Sequence, residues 1–257
     1  MSPVPGTQAS STKASILRLS LVVLGLSLFF VSAARADTWS AGAVLTYNQS
    51  EWGDPMNAAG LLLSDKFDSI YPTDIFVIGS TTPGFFIIFT SEADLDDFLP
   101  SSGFPGALDS NLVNPTTSSA GTFAGEVAAL KLNIDFSNAG LLPDSSGLLL
   151  GNLVLTGFSG SESSLNGLTI NQFFPLSQAA LGGQATSIGF PAIENLASEI
   201  NDAFDGGQPT SFAQDHLIAP SSSVAMPEPP TLLLAALGVL AAAIFRKKRV
   251  LCCSNPI

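Results

Sequence analysis

The chain has 257 residues, 46% of them hydrophobic and 12% charged, with a formal net charge of −12 at pH 7. Seven of its nine Lys and Arg lie near the two ends, so Asp37 to Met226 sets two cations, Lys66 and Lys131, against twenty acids, a balance of −18. That balance excludes nucleic acid as a partner, because nothing would neutralise the phosphates. It disfavours anionic membrane surfaces and leaves divalent cations open.

At the start, Lys13 and Arg18 precede an uncharged apolar stretch from Leu19 to Ala33, followed by Ala34-Arg35-Ala36 and then Asp37. A basic region, an apolar core and an Ala-x-Ala site are the three parts of a secretory signal peptide. Ala34 and Ala36 suit the narrow cleft of the signal peptidase. A retained N-terminal anchor is the alternative reading. The signal peptide is assigned to residues 1–36, with the mature chain beginning at Asp37. The secretion machinery and signal peptidase are then its first partners.

The predicted fold class is mixed α+β: one exported acidic domain, residues 37–219, with short strands and several helices. Its length, roughly 180–190 residues, is enough to build one core without staples. "TDIFVIG" and "FFIIFTS", separated by "STTPG", read as a strand pair. "SEADLDDFLP" offers Ser91 as an N-cap with Asp94 three residues on, and Pro100 as the stop. A loop from Ser101 to Gly121 follows.

"FAGEVAALKLNIDFSNAG" fits two periods. Ala128, Leu130, Leu132, Ile134 and Phe136 alternate as in a strand, while Val127, Leu130, Lys131 and Ile134 form a helical stripe. Its alanines favour a helix ending near Gly140. "GLLLGNLVLTGF" reads as a buried strand. "TINQFFPLSQAALGG" reads as a helix capped by Gly182 and kinked at Pro175. "FPAIENLASEINDAFDGG" predicts a helix with Pro191 in its first turn, Ile193, Leu196, Ile200 and Phe204 on one face, and Gly206 at its end.

The catalytic inventory is thin. His216 is the single histidine, so a Ser-His-Asp triad would have to recruit it from a C-terminal loop. Asp215 beside it could make a surface pair, a cap or a ligand, and the surface pair is the default. No nucleophile elbow, zinc-protease helix, phosphate loop or dinucleotide fingerprint is present. Asp94, Asp96 and Asp97 cluster, as do Asp202 and Asp205. The first group lacks the glycine turn and distant Glu of an EF-hand loop and reads as a solvated helix start. No catalytic, cofactor-binding or metal-binding residue is therefore assigned, and no cofactor is expected beyond calcium as an open possibility.

Past the domain, residues 220–226 form a short stalk. Pro227-Glu228-Pro229 then precedes fifteen uncharged residues, Thr231 to Phe245, and Arg246-Lys247-Lys248-Arg249. A bilayer-spanning helix needs roughly 20 residues at about 1.5 Å each. The flanking prolines and the stems of Arg and Lys can extend the shorter run. The four cations act as a stop on the cytoplasmic side, giving one C-terminal transmembrane helix and a cytoplasmic tail, 250–257. Prolines ahead of a helix are common, but Pro-x-Pro also keeps a segment extended and open to an enzyme cleft. Cys252 and Cys253 lie beyond the cations, so the mature domain has neither a disulfide nor a cysteine nucleophile.

The "PEP", the apolar span and "RKKR" together, residues 227–249, resemble the PEP-CTERM sorting signal of Gram-negative bacteria. In this chain "VLCCSNPI" continues for eight residues after Arg249, where such tails usually stop near the cations. The resemblance implies a precursor anchored in the inner membrane and handed to an exosortase-type transpeptidase. Delivery to the cell envelope or the extracellular polysaccharide matrix, as in a biofilm, would follow. The blocks "TYNQSEWG", "FIIFTSEADLDDFLP", "SAGTFAGEVAALKLNIDFSNAG", "LNGLTINQFFPLSQAALGG" and "FAQDHL" are also similar to exported bacterial proteins, a likeness that brings no activity with it. The expected function is that of a non-catalytic surface or matrix protein. The alternatives are a polysaccharide hydrolase using an acidic pair and a calcium-dependent adhesin.

Overall fold

The computed structural model describes residues 39–81, 83–142 and 146–220. The expected signal peptide, the stalk beyond Pro220, the sorting segment and its transmembrane helix, and the tail all lie outside the described residues. Among the described residues no helix is long and apolar enough to cross a membrane.

Two helices absent from the predicted elements open the domain. In α1, Gln49–Trp52, the Asn48 side chain accepts from the amides of Ser50 and Glu51, and Glu51 Oε2 accepts from the Asn48 amide at 2.9 Å. The two ends of the turn thus satisfy each other's orphan donors. In α2, Ala58–Ile70, Asn57 caps the first turn, and Ala59, Leu63 and Phe67 form the buried stripe. Gly60 lets that stripe press on the backbone of Asp54.

The strand pair is present where predicted. β1, Phe76–Gly79, pairs antiparallel with β2, Phe86–Phe89, setting Phe76 opposite Phe89 and Gly79 opposite Phe86. Phe76, Ile78, Ile87 and Phe89 are buried, so one face of the ribbon meets the helices. α3, Glu92–Phe98, begins at Ser91, whose hydroxyl accepts from the Asp94 amide and donates to Asp94 Oδ2 at 2.6 Å. The expected loop 101–121 needs a correction. Within it β3, Leu112–Val113, adds a parallel third strand beside β2. Two residues are too few for a periodic signal.

α4, Thr122–Asn138, is the central element. It packs against α1, β1 and the two long helices that follow. Ala128, Leu130, Leu132, Ile134 and Phe136 are buried, and so are Phe123, Ala124 and Val127. A helix buried over most of its surface, with only Thr122, Glu126, Lys131, Asp135 and Asn138 outside the core, keeps little of a polar face, which is why its sequence satisfies the strand and helix periods together.

The buried strand expected over 147–158 is mostly not one. Leu150–Asn152 is a 3-10 turn, and only β4, Val154–Leu155, is extended, antiparallel to β5, Leu217–Ile218. The apolar run reflects burial; its glycines break the extended geometry. α5, Ile170–Leu181, continues through Pro175 as one helix. Gly182 is its C-cap as expected, and the end is a Schellman arrangement in which the next residue, Gly183, takes the positive φ of 81°. The amides of Gly183 and Gln184 there return to Ala180 and Ala179. α6, Phe190–Asp202, buries Ile193, Leu196 and Ile200 as predicted but stops at Asp202. Phe204 packs into the core from the turn beyond. Last comes α7, Ser211–His216, capped by Thr210 and running directly into β5.

Candidate functional site

The acids singled out in the sequence go to different places. Asp94 is engaged in the cap of α3. Asp96 is pushed up to about 6, first by burial and then by Glu92 and Asp97, and its Oδ1 is buried without a hydrogen-bond partner. Asp202 and Asp205 are joined by two acids that the sequence reading did not connect with them, Glu51 and Glu126. Burial raises the Asp202 carboxyl, and Asp205 and Glu199 raise it further. Burial likewise raises Glu51, opposed by the Asn48 amide and reinforced by Asp205. Among the described residues, no group of three or more His, Cys, Asp or Glu is arranged to hold a metal ion.

Glu126 has the setting of a tuned acid but is fully engaged. Burial raises it, while the amides of Asn201 and Gln49 pull it back. Its Oε1 accepts from Gln49 Nε2 and its Oε2 from Asn201 Nδ2, each at 2.8 Å. Asn201 Oδ1 in turn accepts from Asn133 Nδ2 at 3.1 Å. Asn133, fully buried on α4, accepts from the Tyr47 amide and from Trp52 Nε1 and donates to the Tyr47 carbonyl. A carboxylate whose two oxygens are held this way ties α1, α4 and α6 together. Each of its oxygens is already bound to an amide side chain.

A different part of the domain holds a cavity of about 270 Å³. One wall is the stripe Ala192, Asn195, Leu196 and Glu199 of α6, spaced i, i+3, i+4, i+7 so that all four share a face. A second wall is the segment Gly157–Leu165, contributing Phe158 and Glu162, and the third is α7, contributing Phe212 and His216. Asn166 pins Phe158 by accepting from its amide at 2.9 Å and donating to its carbonyl at 2.8 Å.

Phe212 precedes His216 by four residues, one turn of α7. The imidazole packs against both rings, at 4.6 Å from Phe158 and 5.3 Å from Phe212 between centroids. Its Nδ1 lies 2.9 Å from the Thr156 carbonyl. A carbonyl only accepts, so Nδ1 carries the proton and Nε2 is the acceptor of the ring. Gly157, at a φ of 76°, allows the chain to pass this close; a Cβ there would meet His216 Nδ1 at 3.2 Å. The default surface reading of Asp215 and His216 as a pair therefore divides. Asp215 is exposed, while His216 is half-buried in the cavity wall.

No sequence signal could have assembled this site. Its parts come from residues 157–165, 192–199 and 212–216, which meet only through packing. It offers two aromatic faces, two carboxylates, an amide and an imidazole nitrogen, with the ring oriented by a backbone carbonyl and not by an acid.

The chain's other functional feature lies in its tail. Residues 227–249 match the PEP-CTERM protein-sorting motif. The motif implies an exported protein sorted at the membrane and processed by an exosortase. The sorting residues Pro227, Glu228, Pro229 and Arg246, Lys247, Lys248 and Arg249, and the signal peptidase site at Ala34 and Ala36, lie outside the described residues. No curated protein and no solved structure matches this chain.

Proposed function

We propose that this is a non-catalytic surface or extracellular-matrix protein of a Gram-negative cell envelope, acting by association with polymer. Signal peptidase cuts after Ala36. The precursor waits in the inner membrane, held by the apolar span and the cations at 246–249, until the tail is removed near Pro227-Glu228-Pro229. The observation that carries this reading is the sorting motif at 227–249 following a folded, strongly acidic domain.

The geometry of the domain supports association over hydrolysis. His216 is oriented by a carbonyl, and the partly buried Glu126 is occupied by two amides. A glycosidase needs a raised acid facing its substrate across a cleft from a second carboxylate. The test replaces Pro227, Glu228 and Pro229 together with Ala-Gln-Ala and follows the protein by cell fractionation. The variant is expected to stay in the inner membrane while the natural chain leaves it. An unchanged distribution would overturn the sorting step. Release of reducing ends from matrix polysaccharide by the natural chain would overturn the non-catalytic role.

A further inference from the structure

We infer that the cavity beside His216 binds a single ring of a small polyhydroxylated amine, of the amino-sugar kind. The inference rests on the matrix reading only for where such a ligand would be met. Its chemical grounds are the lining itself.

Size comes first. At about 270 Å³ the cavity falls just below the range of roughly 300–1,000 Å³ that holds drug-sized ligands. One sugar ring is the scale that fits, not an extended oligosaccharide.

Polarity sets the chemical class. The lining includes two carboxylate residues, Glu162 and Glu199, the amide residue Asn195 and His216, and no Lys or Arg. The only two cations of the described residues are paired with carboxylates outside it, Lys66 with Asp65 at 2.8 Å and Lys131 with Asp135 at 2.7 Å. A site rich in acceptors selects a ligand that brings donors. An ammonium satisfies a carboxylate with a charge-assisted hydrogen bond, and hydroxyls satisfy the amide and the imidazole. A carboxylated, sulfated or phosphorylated sugar would meet like charge from two sides and is rejected.

The aromatic rings supply the remaining surface. Phe158 and Phe212 give apolar faces against which the C–H side of a ring can pack, and an ammonium near either face gains cation–π attraction. Asn166 holds the backbone of Phe158 and α7 carries Phe212, and both rings pack against the imidazole, so the aromatic group is preassembled.

Because the chain contains one histidine, its imidazole C–H resonances report this cavity alone. The full-length chain, purified in mild detergent, is titrated at constant pH with glucosamine, glucose and glucuronate while these resonances are followed by NMR. Glucosamine is expected to shift them saturably, glucose more weakly, and glucuronate not at all. Glu199→Gln, an exposed position, is expected to weaken glucosamine binding about tenfold. Asp109→Asn, the same charge change on an exposed loop residue outside the cavity, is expected to leave it unchanged. No shift with glucosamine, an equal shift with glucuronate, or equal weakening by both variants would overturn the proposal. None of these results would bear on sorting, and a chain retained in the inner membrane would contradict the proposed function without touching the binding result.

Discussion

The indole N–H of Trp39 donates to the backbone carbonyl of Leu217 across 2.8 Å, linking two residues 178 apart in sequence. Gln214 completes the clamp: its Oε1 accepts from the Trp39 amide at 3.1 Å and its Nε2 donates to the Trp39 carbonyl at 3.0 Å. The Trp39 ring also meets Phe204 edge-on at 5.2 Å. The domain is thus closed by its own two ends.

Trp39→Ala removes the ring and its hydrogen bonding group together and is expected to cost about 3–5 kcal/mol. Trp39→Phe keeps most of the apolar volume and is expected to cost about 1–2 kcal/mol, for the lost hydrogen bond and poorer fit. Urea denaturation of both variants checks the order. Equal stability of Trp39→Ala and the natural chain would show that the ends are not coupled.

Asn133 anchors the polar network inside the helical layer, with contacts to Tyr47, Trp52 and Asn201. Asn133→Ala leaves several buried donors and acceptors unpaired and is expected to destabilise by about 2–4 kcal/mol. The same denaturation experiment measures it. Asn201→Ala combined with Asn133→Ala should cost less than the sum of the two, because they share a hydrogen bond.

The raised acids give the protein a pH dependence of definite sign. Asp96, Glu51, Glu126 and Asp202 all have folded-state values above their ordinary ones, so the folded chain holds these protons more tightly than the unfolded chain. For Asp96 the resulting stabilisation is full below 3.8 and is lost as pH rises through about 6. The other three groups contribute in the same direction, so their stabilisation is likewise lost as pH rises. Asp96→Asn should flatten part of that fall and stabilise the protein at pH 7 by about 0.5–1 kcal/mol, allowing for solvent screening at a partly exposed site. Denaturation midpoints measured across this range check both statements.

Gly60 sits in α2 where a Cβ would strike the Asp54 carbonyl and come within 3.1 Å of Pro55 Cα. Both obstacles are backbone, which cannot rotate away. Gly60→Ala is expected to cost about 1–3 kcal/mol despite alanine's better helix propensity. A gain in thermal midpoint would mean that the first turn of α2 is looser than this packing.

Much of the fold was legible where local signals and burial agree. Phe76 to Phe89 alternates against one layer, Ser91 caps its helix, and the stripe Ile193, Leu196, Ile200 repeats at helical spacing. Reading failed where burial erased the pattern or a segment was too short to have one. Leu150, Leu153 and Leu155 are apolar because they are enclosed, and glycines at 147, 151 and 157 turn that run away from a strand. Helix α2 begins at Asn57, a good cap, but Gly60 and three successive leucines blur its stripe. The cavity at His216 was not legible, since no part of it resembles a motif and its walls are brought together by tertiary packing alone. The sorting segment was fully legible because its recognition depends on order and composition along the chain, from Pro227 to Arg249.

In the proposed function the tail is a sorting signal which is removed after export. Intact mass spectrometry of the protein from its native host, combined with cell fractionation, tests it directly. The prediction is a chain beginning at Asp37 and ending between Pro227 and Pro230, recovered outside the inner membrane. A chain ending at Ile257 and remaining in the inner membrane would contradict it, and would make Pro227-Glu228-Pro229 the start of an ordinary anchor.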